Sequence, residues 1–263
     1  MTPSEPLGGP RSADPPPQAP RPLLRMRWEE LTYLHWDVDA SEVAALLPAG
    51  LEPDVVEGRA WVGLVPFRMA GIRLAVPGGV GLPLPWSTFA ETNVRTYVRG
   101  PDGGRGVYFH SLDVPYAAPT AVARLGFRLP YCTSRMHLAR RGDRIGYLAH
   151  RRWPAPRGGR AGRSRVVVEI GAPVTAQDMG PLDVALPAQW ALYTEDPAGG
   201  LLRVDVHHPA WRLHVAEVIT LEDDLVSEAG YRGVGRAPLH VRWAEPVDVL
   251  VGAPRRVLEG PPR

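Results

Sequence analysis

The chain has 263 residues, of which 44% are hydrophobic, with a formal net charge of +2 and a single cysteine. This composition supports one sizeable core, and the near-neutral charge argues against nucleic acid or a membrane surface as a partner. One cysteine excludes an intrachain disulfide and a cysteine-rich metal site, and no apolar run reaches the ~20 residues of a membrane helix. The N-terminus also lacks an apolar leader, so the sequence predicts a cytoplasmic protein.

All 30 basic residues are arginine, so the sequence contains no lysine. Lysine is the side chain that forms Schiff bases with carbonyl substrates. Chemistry that depends on a side-chain amine is therefore excluded for this chain.

The first segment, residues 1–22, contains eight prolines and almost no large apolar side chain. Such a segment cannot bury enough surface to offset the entropy lost on ordering. We predict a disordered tail here, followed by a single domain over residues 23–258.

A short helix is predicted in "DASEVAALLPAGL", residues 39–51. Asp39 stands three residues before Glu42, which is the spacing of a capping box. Pro48 and Gly50 then end the apolar repeat.

The stretch "FAETNVRTYV", residues 89–98, alternates between apolar and polar positions. Side chains of a strand point alternately to opposite faces, so one face carries a row of polar groups between two aromatic rings. The turn signal at 100–104 and the strand pattern at 106–114 predict an antiparallel hairpin. The row is Phe89, Glu91, Asn93, Arg95 and Tyr97.

Further elements follow the hairpin. Helices are predicted at 118–127 and within 181–196, the second one broken by Pro187. Strands are predicted at 131–139, 144–151, 165–171, 201–207 and 237–243. Together these patterns predict an α+β fold that is predominantly antiparallel β, with few short helices.

Residues 140–165 carry nine arginines and one aspartate. Such a basic segment could contact nucleic acid, but the single aromatic residue Trp153 beside its Gly/Pro-rich part is thin support for base stacking. We therefore interpret residues 154–164 as a mobile, solvated loop and predict no nucleic-acid partner.

The histidines of "VDVHHPAWRLHV" are candidate metal ligands by residue type. Neighbouring strand residues such as His207 and His208 face opposite ways and cannot chelate one ion with regular geometry. We predict no metal site, and expect these histidines to form hydrogen bonds at a strand end and to pack against Trp211. Cys132 is expected to be a buried structural cysteine rather than a nucleophile.

Several long strings occur together in the order of a known bacterial family. They are "RWEELTYLHW", "LLPAGLEPDVVEGRAWVGLVPFRM", "ETNVRTYV", "GVYFHSLD", "LPYCTSRM", "LYTED" and "HHPAWRL". Over residues 23–256 the chain resembles the YqjF-like family of uncharacterised proteins, a branch of the acetoacetate decarboxylase-like superfamily. The resemblance implies a curled or barrel-like antiparallel sheet enclosing a partly apolar cavity.

The resemblance also bears on chemistry. In the decarboxylases a lysine attacks a β-keto acid, and nearby arginine and glutamate side chains bind and orient the acid. The comparable stretch here is "GFRLPYCTS", where Tyr131 or Cys132 stands at the lysine position. The implied counterparts of the arginine and glutamate are Arg27 or Arg25, and Glu91.

These observations give a hypothesis for the polar row. Arg95 binds a carboxylate or enolate oxygen, and Glu91 is a general acid/base whose pKa is raised by burial. Tyr97 and Tyr131 are expected to donate hydrogen bonds to the ligand. Glu91 and Tyr131 are the predicted catalytic residues. The remaining expected ligand-binding residues are Asn93, Arg27 and His110.

Three functional classes follow from the sequence. The first is an acid/base enzyme acting on a small keto or hydroxy acid without a Schiff base. The second is a non-catalytic domain that binds a small molecule, and the third is an interaction protein that uses the basic loop. The absent lysine favours the second class, and the polar row opposes the third. No cofactor is predicted, the expected partner is a small carboxylate, and homo-oligomerisation is left open.

Overall fold

The computed structural model describes residues 11–17, 19, 21–76, 79–116, 129–154, 162–196, 198–231, 234 and 237–259. Strands dominate this part of the chain. In chain order they are β1 Pro22–Glu29, β2 Leu31–Val38, β3 Glu52–Pro53, β4 Ala60–Val76, β5 Gly79–Pro83, β6 Phe89–Arg99, β7 Arg105–Val114, β8 Tyr131–Arg141, β9 Arg144–Trp153, β10 Arg163–Pro173, β11 Ala191–Glu195, β12 Gly200–His207, β13 Leu213–Asp223, β14 His240–Ala244, β15 Val247–Gly252 and β16 Arg255–Glu259.

The helices are short. They are α1 Ala40–Leu46, α2 Pro181–Ala185 and α3 Leu225–Glu228. None of the helices in the described ranges has the length and apolar character needed to cross a membrane.

The strands form one curled, mostly antiparallel sheet. Parallel pairing occurs where β7 contacts β8 and β11. The pairings β1–β15, β15–β12, β12–β11, β11–β7, β7–β6, β6–β4 and β4–β1 return to the first strand. This ring of strands encloses an interior, and the predicted fold class is confirmed.

The core has two main parts because β6 is buried on both faces. Phe89 and Tyr97 belong to the cluster inside the ring, with Phe67 of β4. Val94 packs on the opposite face in a second cluster with Ile145. The odd-numbered polar row of β6 therefore faces the interior of the ring and not solvent.

Most predicted elements are confirmed. The hairpin is formed by β6 and β7, and strands lie at each of the five predicted later positions. The predicted helix at 118–127 lies outside the described residues. The second helix ends at Ala185, and the expected continuation is replaced by β11.

Two details differ from expectation. Helix α1 begins after Asp39, but the Asp39 side chain makes no capping bond because it pairs with Arg59, 2.5 Å away. In the N-terminal segment, Arg11 binds the buried carboxylate of Asp54 through two hydrogen bonds of 2.7 and 3.0 Å. A charged anchor of this kind cannot be read from the proline content of residues 1–22.

Candidate functional site

A cavity of about 570 Å³ lies inside the ring of strands. Its wall includes side chains of β1, β2, β4, β6, β7, β8, β11, β12 and β15. Three consecutive inward positions of β6, Glu91, Asn93 and Arg95, supply a polar strip on this wall. All three are buried, with 2%, 4% and 7% of their surface exposed.

Glu91 is a buried carboxyl group at the cavity. Burial raises its pKa from 4.5 to about 8, and hydrogen bonds from Asn93 and Tyr131 offset only part of that shift. The Tyr131 hydroxyl lies 3.4 Å from Oε2 of Glu91. Glu91 is therefore protonated at neutral pH and can donate a hydrogen, which an ordinary surface glutamate cannot do.

Arg95 is a buried cation with no carboxylate beside it. Its Nε donates to the Tyr97 hydroxyl at 3.2 Å, and its guanidinium carbon lies 5.2 Å from the ring centroid of Tyr33. None of the ion pairs formed by the described residues includes Arg95, and its Nη2 has no hydrogen-bond partner there. A buried charge ordinarily has a counter-ion, so this arrangement leaves room for an anion.

A relay of buried side chains supports Arg95 from behind. The Tyr97 hydroxyl lies 2.5 Å from Nε2 of His35, and the two Nδ1 atoms of His35 and His240 are 2.9 Å apart. Nε2 of His240 is 2.9 Å from Oδ1 of Asp183. Burial would raise the pKa of Asp183, but hydrogen bonds from His240, the Gly180 amide and Arg242 outweigh it and hold the pKa at about 2.

The ionised carboxylate of Asp183 anchors one end of this relay, where it accepts from Nε2 of His240. Burial holds the pKa of His35 well below its usual range, so His35 is neutral. The tautomer of His35 sets whether its Nε2 donates to the Tyr97 hydroxyl or accepts from it. In either case the Tyr97 oxygen accepts from Nε of Arg95.

Gly63 leaves room for the side chains of the relay because it has no Cβ atom. It pairs with His35 on β2 and with Arg95 on β6, so it lies between them in the sheet. A Cβ atom at this position would lie 2.9 Å from Cδ2 of His35 and 3.4 Å from the Tyr97 hydroxyl. Only glycine lets the histidine, the tyrosine and the arginine come together without displacement.

His208 and Trp211 form an aromatic cluster in the cavity wall. His208 is buried, donates from Nδ1 to the Pro209 carbonyl at 2.8 Å, and packs with its ring centroid 4.8 Å from that of Trp211. Burial lowers the pKa of His208 to about 4, so it is neutral. The expected packing of a histidine against Trp211 is confirmed. Among the described residues no group of side chains is arranged to hold a metal ion.

Four buried polar atoms in the cavity wall have no hydrogen-bond partner among the described residues. They are Nη2 of Arg95, Oδ1 of Asn93, Nε1 of Trp28 and Oε1 of Gln189. Unpaired buried polar groups are uncommon in folded proteins, because each one costs about 1–3 kcal/mol. Their concentration in one wall marks this cavity as the candidate functional site.

Two predicted ligand-binding residues lie elsewhere. Arg27 is exposed and forms ion pairs with Glu29 and Asp248, because strand alternation turns Met26 and Trp28 inward instead. His110 occupies a bulge in β7, where the register shifts opposite Val94 and Arg95. The extra residue turns the His110 ring away from the cavity lining, toward the Tyr231 hydroxyl at 2.8 Å.

The other predicted residues lie at or next to the cavity. Tyr131 borders it beside Glu91, whereas Tyr97 lies behind Arg95 and does not border it. Cys132, also considered at the lysine position, is buried and lies outside the cavity lining. The sequence did not single out Tyr33, His35 or His240, although Tyr33 and His35 share one face in the alternating string "LTYLHW".

Comparisons with known proteins agree with this architecture. A family model described as an uncharacterized conserved protein, DUF2071, matches residues 25–248. The chain is 32% identical to the uncharacterized protein YqjF of Bacillus subtilis over 232 residues, covering 87% of this chain and 90% of that protein.

Solved structures show the same fold at low sequence identity. The enduracididine biosynthesis enzyme MppR in complex with pyruvate aligns with a TM-score of 0.57 and 18% identity, covering 91% of each chain. Acetoacetate decarboxylase from Legionella pneumophila aligns with a TM-score of 0.58 and 14% identity, covering 92% of this chain and 88% of the decarboxylase. The chain has an acetoacetate decarboxylase-like fold and belongs to the DUF2071 family, with YqjF as a relative.

Proposed function

We propose that the chain binds a small carboxylated molecule in the cavity and performs acid/base chemistry on a keto or hydroxy acid without a lysine. One observation carries the proposal: Glu91, protonated at neutral pH, and Arg95, a buried cation without a carboxylate partner, line the same wall. A carboxylate would supply the counter-ion of Arg95, and Glu91 lies four residues before Arg95 on β6, which is two inward-facing positions. The fold of MppR, which has been seen with pyruvate bound, is compatible with this assignment.

The roles follow from the chemistry of each group. Arg95 pairs with the carboxylate of a 2-keto acid through its guanidinium group. In its ionised form Glu91 removes a proton from C3, and the electron pair moves to the C2 oxygen to give an enolate. The Tyr131 hydroxyl and the guanidinium stabilise that oxygen, and protonated Glu91 returns a proton to C3. A pKa of about 8 keeps both forms of Glu91 available near neutral pH.

Binding is tested by calorimetry with 2-oxobutanoate as the probe. Arg95→Met should reduce the affinity at least about 100-fold, because a buried carboxylate without its cation costs several kcal/mol. The matched control is Arg27→Gln, which removes an exposed arginine on a neighbouring strand and should leave affinity unchanged. Equal losses in both variants, or none in either, would contradict the role of Arg95.

Chemistry is tested by proton NMR in deuterated water. The unmodified protein should exchange the C3 hydrogens of 2-oxobutanoate, at a rate that rises with pH through about 8 as Glu91 ionises. Glu91→Gln should keep binding and lose exchange, because an amide cannot shuttle a proton. Full exchange in Glu91→Gln would show that the assigned base is wrong.

A second candidate function is a binding domain without catalysis. The absence of lysine from the sequence favours it, since the nucleophile of the related decarboxylases has no equivalent here. Binding that depends on Arg95, combined with no exchange or turnover in the unmodified protein, would select this alternative.

A further inference from the structure

We infer that the ligand of this cavity is an amphipathic monocarboxylic acid, with one carboxylate joined to an aromatic or alkyl body several times larger than a three-carbon keto acid. This inference rests on the proposed function, because it takes Arg95 as the carboxylate anchor. It adds the chemical class of the rest of the molecule, which the polar strip alone does not specify.

The first support is the apolar character of the cavity wall outside the polar strip of Glu91, Asn93 and Arg95. Large aromatic and aliphatic side chains dominate it. Examples are Trp28, Phe67, Met69, Phe89, Phe109 and Trp211. Apolar surface of this kind gains free energy when it contacts an apolar ligand and gains nothing from a small, fully hydrated acid. The wall therefore favours a ligand that carries an apolar body.

The second support is size. At about 30 Å³ per water molecule in the liquid, a cavity of about 570 Å³ corresponds to roughly nineteen waters. Cavities of ~300–1,000 Å³ are typical of sites that hold drug-sized molecules. A three-carbon acid at Arg95 would leave most of this space, and all of its aromatic wall, without contacts.

The third support is charge. Among the described residues that line the cavity, Arg95 is the only arginine, and Glu91 is protonated at neutral pH. Burial also keeps His208, the histidine of the described lining, neutral. A second carboxylate on the ligand would enter this wall without a cation to pair with, at a cost of several kcal/mol. The charge distribution selects a single carboxylate.

The fourth support is the position of the entrance. Lining residues are most exposed where β4, β5 and the segment after β5 meet: Leu74 is 47% exposed, Leu84 36% and Trp86 58%. Trp86 also has a positive φ of 54°, a conformation that bulky residues rarely adopt, and its ring lies 6.4 Å from that of Tyr116. Arg95 is buried, so the acid would enter carboxylate first and leave its apolar body against this mouth.

The test is a binding series with four acids, measured by calorimetry on the full chain. Pyruvate, 2-oxohexanoate and 4-phenyl-2-oxobutanoate share one head group and differ in body, and 2-oxoglutarate adds a second carboxylate. Each buried methylene should raise affinity about fourfold, so 2-oxohexanoate should bind on the order of 50-fold more tightly than pyruvate. 2-Oxoglutarate should bind more weakly than 2-oxohexanoate.

Two variants separate the body from the head group. Trp86→Ala should weaken binding of 4-phenyl-2-oxobutanoate and leave that of pyruvate unchanged. Arg95→Met should weaken every acid that binds. If Arg95→Met does not fold, the order of affinities in the unmodified protein still decides the inference.

Each outcome has one meaning. Binding that depends on Arg95 and tightens with apolar body size supports the inference. Binding that depends on Arg95 but is flat across the series, or tightest for 2-oxoglutarate, overturns the inference and leaves the proposed function standing. Affinity that does not depend on Arg95, or no binding of any acid, overturns the proposed function and the inference with it.

Discussion

Two buried arginines, Arg95 on β6 and Arg151 on β9, are almost equally shielded, at 7% and 9% exposure, but their surroundings differ. Arg151 forms a two-pronged ion pair with Asp113, at 2.9 and 2.6 Å, and a third bond of 3.0 Å to Glu228. Among the described residues, Arg95 contacts the phenol groups of Tyr33 and Tyr97 and borders the cavity.

The difference separates a charge that is paired within the protein from one that the proposed ligand would pair. The Asp113 carboxylate is fully buried and is also bound by the Ser134 hydroxyl at 2.6 Å, so the Arg151 cluster satisfies its polar groups internally. A cluster of that kind has no capacity left for a ligand. Among the described residues the Arg95 site retains unpaired donors and acceptors and borders an open volume, as expected if the proposed ligand supplies the counter-ion.

The largest expected effect is on stability. Arg151→Met should lower the free energy of unfolding by about 3–5 kcal/mol, because it leaves Asp113 buried and unpaired. Arg95→Met should change it by no more than about 1 kcal/mol, since it removes a cation that has no anionic partner and one ordinary hydrogen bond. Urea denaturation measures both. A loss in Arg95→Met as large as that in Arg151→Met would remove the distinction between the two sites.

A smaller effect is expected from crowding the relay behind Arg95. Gly63→Ala should cost up to about 3 kcal/mol and weaken binding of 2-oxobutanoate, because the new methyl group must displace His35. The matched control is Gly146→Ala on β9, where the nearest atom to an added Cβ would be 3.8 Å away. Thermal melts and calorimetry measure the two effects. Unchanged binding in a folded Gly63→Ala variant would show that the relay does not position Arg95.

The pH dependence of the free energy of unfolding should also distinguish the two sites. Glu91 at the cavity is a protonated carboxyl group, whereas Asp113 in the Arg151 cluster belongs to an ion pair. The pKa of Glu91 is about 8 in the folded state and 4.5 when unfolded, so the folded state binds the extra proton between these values. Stability from this group is therefore complete below about pH 4.5 and is lost as pH rises to about 8.

Comparison with Glu91→Gln isolates this contribution, because the buried histidines and other groups are common to both proteins. Between about pH 6.5 and 8 the unmodified protein should lose about 2 kcal/mol more than Glu91→Gln does. Urea denaturation across this range provides the measurement. Parallel stability curves for the two proteins would mean that Glu91 is ionised in the fold.

The smallest effect is expected at an exposed arginine. Arg165 pairs with Glu222 at 3.1 Å, and their side chains are 54% and 69% exposed. Arg165→Ser should change the free energy of unfolding by less than about 0.5 kcal/mol, because water and salt screen such pairs. A loss of more than about 1 kcal/mol for Arg165→Ser in a denaturation experiment would show that burial does not determine how much each of the three arginines contributes to stability.

Part of this site could be predicted from the alternation of side chains along single strands. The alternation at 89–97 predicted the polar row, of which Phe89, Glu91, Asn93 and Arg95 border the cavity, whereas Tyr97 lies behind Arg95. The same rule, applied to Met26 and Trp28, turns Arg27 outward, whereas the family resemblance implies Arg27 as a ligand-binding residue. His110 could not be placed by alternation, because one extra residue in β7 reverses the phase of the strand.

The supporting relay was not predictable for a different reason. His35, His240 and Asp183 are separated by up to 205 residues in sequence and meet only through strand pairing and the packing of α2. Hydrophobic periodicity reports which face of an element is buried, but not which distant side chains share a hydrogen bond. The curled sheet itself came from the family resemblance rather than from the residues alone.

The central claim is that Arg95 is the carboxylate anchor of an enclosed site. A crystal structure of the protein in complex with 4-phenyl-2-oxobutanoate tests it most directly. We expect the carboxylate within hydrogen-bonding distance of the Arg95 guanidinium, the C2 oxygen near Tyr131 and Glu91, and the phenyl ring against the aromatic wall toward Trp86. Density for the acid on the outer surface, or inside the cavity with its carboxylate directed away from Arg95, would contradict it.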